Sequence, residues 1–143
     1  MKAKAIIFDL DGTLIDSADS ILYGFEFVLR DTGYIAKAPL NRGLIGPPLK
    51  LTMQKLSGIN DDMVLNDLVD RFKSYYDLVG YQKSSPYLGV DKLLKDLRAS
   101  EHNLILATNK RMIPTKKILE YLGWTPIFDD VYAIDRELSL IHI

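Results

Sequence analysis

The chain has 143 residues, 48% of them hydrophobic and 26% charged, which suits one globular domain or a small domain carrying an insertion. Eighteen basic and nineteen acidic side chains leave a formal net charge of -1, so there is no electrostatic case for nucleic acid or an anionic membrane as a partner. Cysteine is absent, which excludes a disulfide scaffold, a thiolate zinc site and a cysteine nucleophile.

The basic start Met1-Lys2-Ala3-Lys4 leads into an apolar run that ends at Asp9. That run falls short of a secretory segment, which needs about 7–15 apolar residues, and of a membrane span, which needs about 20. The expected location is therefore the cytoplasm. Ala5-Ile6-Ile7-Phe8 reads as a parallel strand buried on both faces. It runs into Asp9-Leu10-Asp11-Gly12-Thr13, where Gly12 permits a sharp turn. Two carboxylates then stand at the carboxyl end of a strand, where open α/β sheets keep their sites.

From Ser17 to about Tyr81 the periodicity is helical. Ser17 or Asp19 is suited to cap a helix with Ile21, Leu22, Phe25, Val28 and Leu29 on one face, ended by Thr32-Gly33. Asn41 to Pro48 reads as a loop, Leu49 to Leu56 as a helix stopped by Ser57-Gly58. Asn60 or Asp61 then caps a longer helix whose stripe is Leu65, Leu68, Val69, Phe72, Tyr75, Tyr76 and Val79. That stripe is core-facing and needs no functional role. Ser84-Ser85-Pro86 reads as a linker, Val90 to Ala99 as a helix, and Asn103 to Ala107 as a second strand. A further helix follows, with Pro114 in its first turn and Gly123 past its end, and Val131 to Ile134 reads as a third strand. The order describes an α/β fold with a helical insertion after the first strand, its strands parallel.

Carboxylates two residues apart repel unless a cation joins them. Mg²⁺ prefers such oxygens and brings phosphate substrates with it. One carboxylate is then placed to attack phosphorus, and the other to protonate the leaving alkoxide and activate water. Thr108, at the end of the second strand and before a helix, offers a hydroxyl and an N–H to an anion. Asn109 and Lys110 follow it as substrate-binding candidates, although Lys110 reads equally well as a solvated charge at the helix start. Arg42 and Lys50 read as solvated surface charges, and His102 as a surface residue between helix and strand.

Phe8-Asp9-Leu10-Asp11-Gly12-Thr13-Leu14-Ile15-Asp16-Ser17 resembles motif I of the haloacid dehalogenase-like hydrolases in their phosphatase branch. Leu104 to Lys110 resembles motif II, and Ile45-Gly46-Pro47-Pro48-Leu49 is similar to phosphoglycolate phosphatase relatives. The resemblance covers residues 1 to about 137. It implies a Rossmann-like parallel core formed by residues 1–14 and 86–137, with a helical cap at 15–85. It also implies Mg²⁺ held by Asp9 and the Asp11 carbonyl, Asp9 as nucleophile, Asp11 as general acid and base, and Thr108 on the transferring phosphoryl group. The substrate implied is a small phosphorylated metabolite, with phosphoglycolate first and nucleotide or sugar phosphates next. The acid at Asp11 favours phosphate esters over halides, whose departure needs no proton. Thr13 weakly favours hydrolysis over the phosphomutase alternative.

The family's motif III lysine and motif IV acids do not follow Asp135-Arg136, and Asp129-Asp130 precedes the third strand and reads as a turn or loop. Leu138-Ser139-Leu140-Ile141-His142-Ile143 resembles the translation of an adaptor used in preparing sequencing libraries. The expectation is a native sequence ending near Glu137, a core missing its C-terminal part, residues 138–143 as a non-native tail, and little phosphatase activity from the 143 residues alone. The competing expectation is a non-catalytic fragment or receiver-like signalling module that binds metal or phosphate without turnover. A receiver, however, has no long insertion after its first strand.

Overall fold

The computed structural model describes residues 4–135, so the stretch Leu138 to Ile143 lies outside the described residues. Two compact units emerge: Met1–Ser17 with Ser84–Ile143, and Ala18–Lys83 between them in sequence.

The first unit is α/β. Strands β1 (Ala5–Phe8), β4 (Asn103–Ala107) and β5 (Asp130–Tyr132) form a parallel sheet in the order β1-β4-β5. A two-residue antiparallel ribbon joins β2 (Ile15–Asp16) to β3 (Ser85–Pro86). This ribbon lies in the first unit, which reaches Ser17 and resumes at Ser84. The segment Ser84-Ser85-Pro86, which looks like a linker by composition, is partly a strand because Ile15 and Asp16 give it a partner.

Helices α4 (Val90–Ala99) and α5 (Met112–Leu122) complete the unit. Gly123 ends α5 in the left-handed conformation at φ 75°, where a side chain would be strained. The core holds Leu10, Leu94, Leu104, Leu106 and Trp124, each at 0% exposure. The indole N–H of Trp124 donates to Asp91 Oδ1 at 2.8 Å, so its burial leaves no polar group unpaired. Hydrogen bonds from Lys95 and from Trp124 hold the Asp91 carboxyl below the usual range.

The expectation that β1 is buried on both faces is corrected. Among the described residues β1 pairs with β4 alone, its residues are exposed or half-buried in alternation, and Ile7 is 67% exposed. Apolar composition reports what a strand is suited to touch, not what covers it. The third strand also shifts: β5 spans Asp130–Tyr132, and Ala133 and Ile134 lie past the ladder.

The second unit is helical. It contains α1 (Ala18–Thr32), a 3-10 turn at Arg42–Leu44, α2 (Leu49–Ser57) and α3 (Asp62–Leu78). Asp61 supplies the α3 cap, its carboxylate accepting the N–H groups of Met63 and Val64. Phe25, Val28, Met53, Leu56, Leu68 and Tyr76 form the centre of the core, all at 2% exposure or less. Gly24 is required by packing: a Cβ there meets the Phe72 ring at 2.5 Å. Lys50 pairs with Asp62 at 3.0 Å on an exposed face, in keeping with a surface role. Among the described residues no helix is long and apolar enough to cross a membrane.

Candidate active site

The loop after β1 is organised around one carbonyl. Leu10 is fully buried, and its carbonyl accepts the N–H groups of Thr13, Leu14 and Ile15 at 2.9 to 3.2 Å. Gly12 takes φ 78°, a left-handed conformation that would strain a side chain, so glycine lets the turn close. Asp9 and Asp11 flank that anchored residue. Asp9 is exposed, with Oδ1 accepting its neighbour Leu10's N–H at 2.8 Å. Asp11 is half-buried, and both of its oxygens are engaged. Oδ1 accepts the Ser17 hydroxyl at 2.5 Å, and Oδ2 lies 3.4 Å from Lys110 Nζ.

Strand β4 delivers the other half. Thr108 is 8% exposed, directly after the strand. Its N–H is not available to an anion: it donates to the Tyr132 carbonyl at 2.9 Å and extends the β4–β5 pairing. The expected pair of donors is therefore reduced to the hydroxyl. Thr108 Oγ1 accepts the Lys110 N–H at 3.0 Å, which leaves the hydroxyl proton to be given elsewhere. Thr108 does not cap α5 either; the residue at the cap is Arg111. The first N–H of that helix, on Met112, donates to the Asp135 carboxylate at 2.8 Å.

A cleft of about 340 Å³ is lined by Asp9, Ala107, Thr108, Asn109, Tyr132, Ala133 and Ile134. It brings together three of the five predicted site residues: Asp9, Thr108 and Asn109. Asp11 and Lys110 instead pair with one another and are not among its lining residues. Ser17, Asp135 and Tyr132 are contributors that sequence reasoning did not single out. Ser17 closes the motif I string, which was a signal; the parts played by Asp135 and Tyr132 arise only when β5 pairs with β4.

Asp129, expected in a turn or loop, links three segments of the unit. Its carboxylate takes a bidentate contact from Arg98 at 2.8 Å and the Leu104 N–H at 2.9 Å, tying α4 and β4 to the chain entering β5. The Arg98 hydrogen bonds first, and the Leu104 N–H second, hold its carboxyl below the usual range. His102 Nδ1 is buried and lacks a hydrogen-bond partner.

Asp9 at the end of one parallel strand and Thr108 at the end of its neighbour thus line one cleft on a parallel α/β core. Residues 6–138 match the profile of the haloacid dehalogenase-like hydrolases, and the chain belongs to that family. It is 31% identical over 137 residues to a tyrosine-protein kinase of Mycobacterium tuberculosis, covering 95% of this chain and 46% of that protein. It is also 31% identical over 145 residues to a phosphoglycolate phosphatase of Psychrobacter arcticus, covering 94% of this chain and 63% of that protein. The solved structure of a haloacid dehalogenase-like hydrolase from Streptococcus pneumoniae superposes with a TM-score of 0.78 at 27% identity, covering 98% of this chain and 67% of that one. The chain thus spans about half to two thirds of the length of these relatives.

Proposed function

We propose that the protein carrying this sequence is a Mg²⁺-dependent phosphomonoesterase working through an aspartyl phosphate on Asp9. The observation that carries the reading is the cleft lined by both Asp9 and Thr108. The carboxylate attacks phosphorus and the ester oxygen leaves. Asp11, two residues on, gives that alkoxide a proton and later takes one from the water that releases phosphate. The Thr108 hydroxyl donates to a phosphoryl oxygen, and Asn109 is placed at the same opening. Burial of Thr108 fixes its direction before substrate arrives, which is the condition for electrostatic stabilisation of a transition state.

The donor chemistry fits Mg²⁺. Asp9 and Asp11 offer hard oxygens, and one or two carboxylates with a substrate phosphate commonly hold this ion. Among the described residues no group of three His, Cys, Asp or Glu is gathered for a metal. When bound, Mg²⁺ supplies positive charge against the phosphoryl oxygens.

The substrate class is a small phosphorylated metabolite. Phosphoglycolate stands first, supported by the relative of that name at 31% identity, ahead of nucleotide and sugar phosphates. The kinase at 31% identity supports a second outcome, phosphoryl transfer to tyrosine. The test is phosphate release from a panel of monoesters by the whole protein with MgCl₂, beside labelled ATP and a tyrosine acceptor. Mg²⁺-dependent release that is lost in Asp9→Asn supports the phosphatase. Transfer to tyrosine without release contradicts it. A trapped phosphoryl group that persists instead of turning over points to the non-catalytic signalling alternative.

A further inference from the structure

Lys110 stands apart from the cleft lining. Its side chain is 9% exposed, and its Nζ lies 3.4 Å from Asp11 Oδ2. The backbone holds Lys110 from two sides. Its N–H donates to Thr108 Oγ1 at 3.0 Å, and its carbonyl accepts the Ile134 N–H at 3.2 Å. Those bonds tie the residue to the ends of β4 and β5, so the ammonium is brought to Asp11 by the sheet itself. Ser17 holds the other carboxylate oxygen at 2.5 Å. A buried ammonium is costly unless a carboxylate faces it, and truncating one partner strands the other.

We propose that Lys110 is a built-in counter-cation of Asp11: it holds that carboxylate in place before a ligand arrives and competes with a divalent cation for the motif I acids. Lys110 is a positioning residue in this account, acting through Asp11 and not on substrate. The proposal deepens the reading of Asp9 and Asp11 given above and rests on it for the competition with metal.

Two measurements on the whole protein test it. The first is a double-mutant cycle by urea denaturation, followed by far-ultraviolet circular dichroism. Asp11→Asn is expected to lower the midpoint more than the Asp11→Asn, Lys110→Met pair does, because only the single variant leaves the ammonium stranded. Additive effects overturn the counter-cation.

The second measurement is Mn²⁺ binding by electron paramagnetic resonance. Removing a like charge a few ångströms from the ion should tighten binding by about tenfold in Lys110→Met. Lys110→Arg should bind as the wild type does. Equal or weaker binding in Lys110→Met overturns the competition. Absence of Mn²⁺ binding in both proteins overturns the competition together with the Mg²⁺ reading, whereas the counter-cation stands or falls on the urea cycle alone.

Discussion

The helical unit and the α/β unit use apolar residues in opposite ways. In the helical unit the amphipathic faces of α1, α2 and α3 close on one another, and Phe25, Val28, Leu56 and Leu68 are at 1% exposure or less. Among the described residues of the α/β unit, β4 is the only strand with a neighbour on each edge. β1, with its run Ala5-Ile6-Ile7-Phe8, has one partner among the described residues and leaves Ile7 67% exposed. The site hangs on that half-open strand: Asp9 follows β1 directly, and Thr108 follows β4. The proposed chemistry therefore depends on the α/β unit, whereas the helical unit closes a core of its own. A helix stripe meets its partners within one local unit, whereas a parallel strand depends on neighbours that are distant in sequence.

The largest expected effect is chemical. Asp9→Asn keeps the shape of the β1 loop and removes the nucleophile, so phosphate release by the whole protein should fall at least about a thousandfold, on the order of 4 kcal/mol. Initial rates at saturating substrate check this.

Next comes the helical core. Phe72 is 5% exposed and packs on Phe25 and Tyr76 at ring distances of 5.1 and 5.6 Å. Phe72→Ala should cost about 3–5 kcal/mol, read by far-ultraviolet circular dichroism in urea. A cost below about 1 kcal/mol would remove the contrast between the closed unit and the open one.

A smaller effect follows from Asp129. Its carboxyl titrates below its unfolded value in the folded chain, so the unfolded state binds more protons over that interval. The stabilisation is therefore present above the unfolded pKa of about 4 and is lost as pH falls through the lower, folded one. Asp129→Asn should flatten this acid limb and cost about 1 kcal/mol at neutral pH, since the Arg98 pair is partly solvated. Urea midpoints followed by Trp124 from neutral to acid pH measure it.

The smallest effect sharpens the contrast most. Ile7→Thr in the 143-residue chain should change stability by less than about 0.5 kcal/mol, because the side chain is already 67% exposed. A core-sized cost, about 2 kcal/mol or more, would mean that Ile7 is covered in solution.

Much of the fold was legible where period and punctuation agree. The α4 and β4 boundaries fall where the apolar spacing of Val90 to Ala99 and the run Asn103 to Ala107 place them. α5 begins two residues before Pro114 and ends against Gly123. The β2–β3 ribbon was not legible, since Ser84-Ser85-Pro86 becomes a strand only through Ile15 and Asp16. β5 was misplaced at both ends because Ala133 and Ile134 are apolar for the cleft and not for the ladder. The exposure of β1 was illegible for the reason already seen in Ile7. That Asp9 follows β1 and Thr108 follows β4 was readable from the sequence. The loss of the Thr108 N–H to Tyr132 and the tie from Met112 to Asp135 were not, because both depend on pairing across the sheet.

The proposed phosphatase stands on Asp9 taking the phosphoryl group. Acid quenching of the whole protein during turnover of phosphoglycolate with Mg²⁺, followed by peptide mass spectrometry, tests this. A single phosphoryl adduct is expected on the peptide containing Asp9, absent in Asp9→Asn. Turnover with no adduct on that peptide, or turnover that survives in Asp9→Asn, would contradict it.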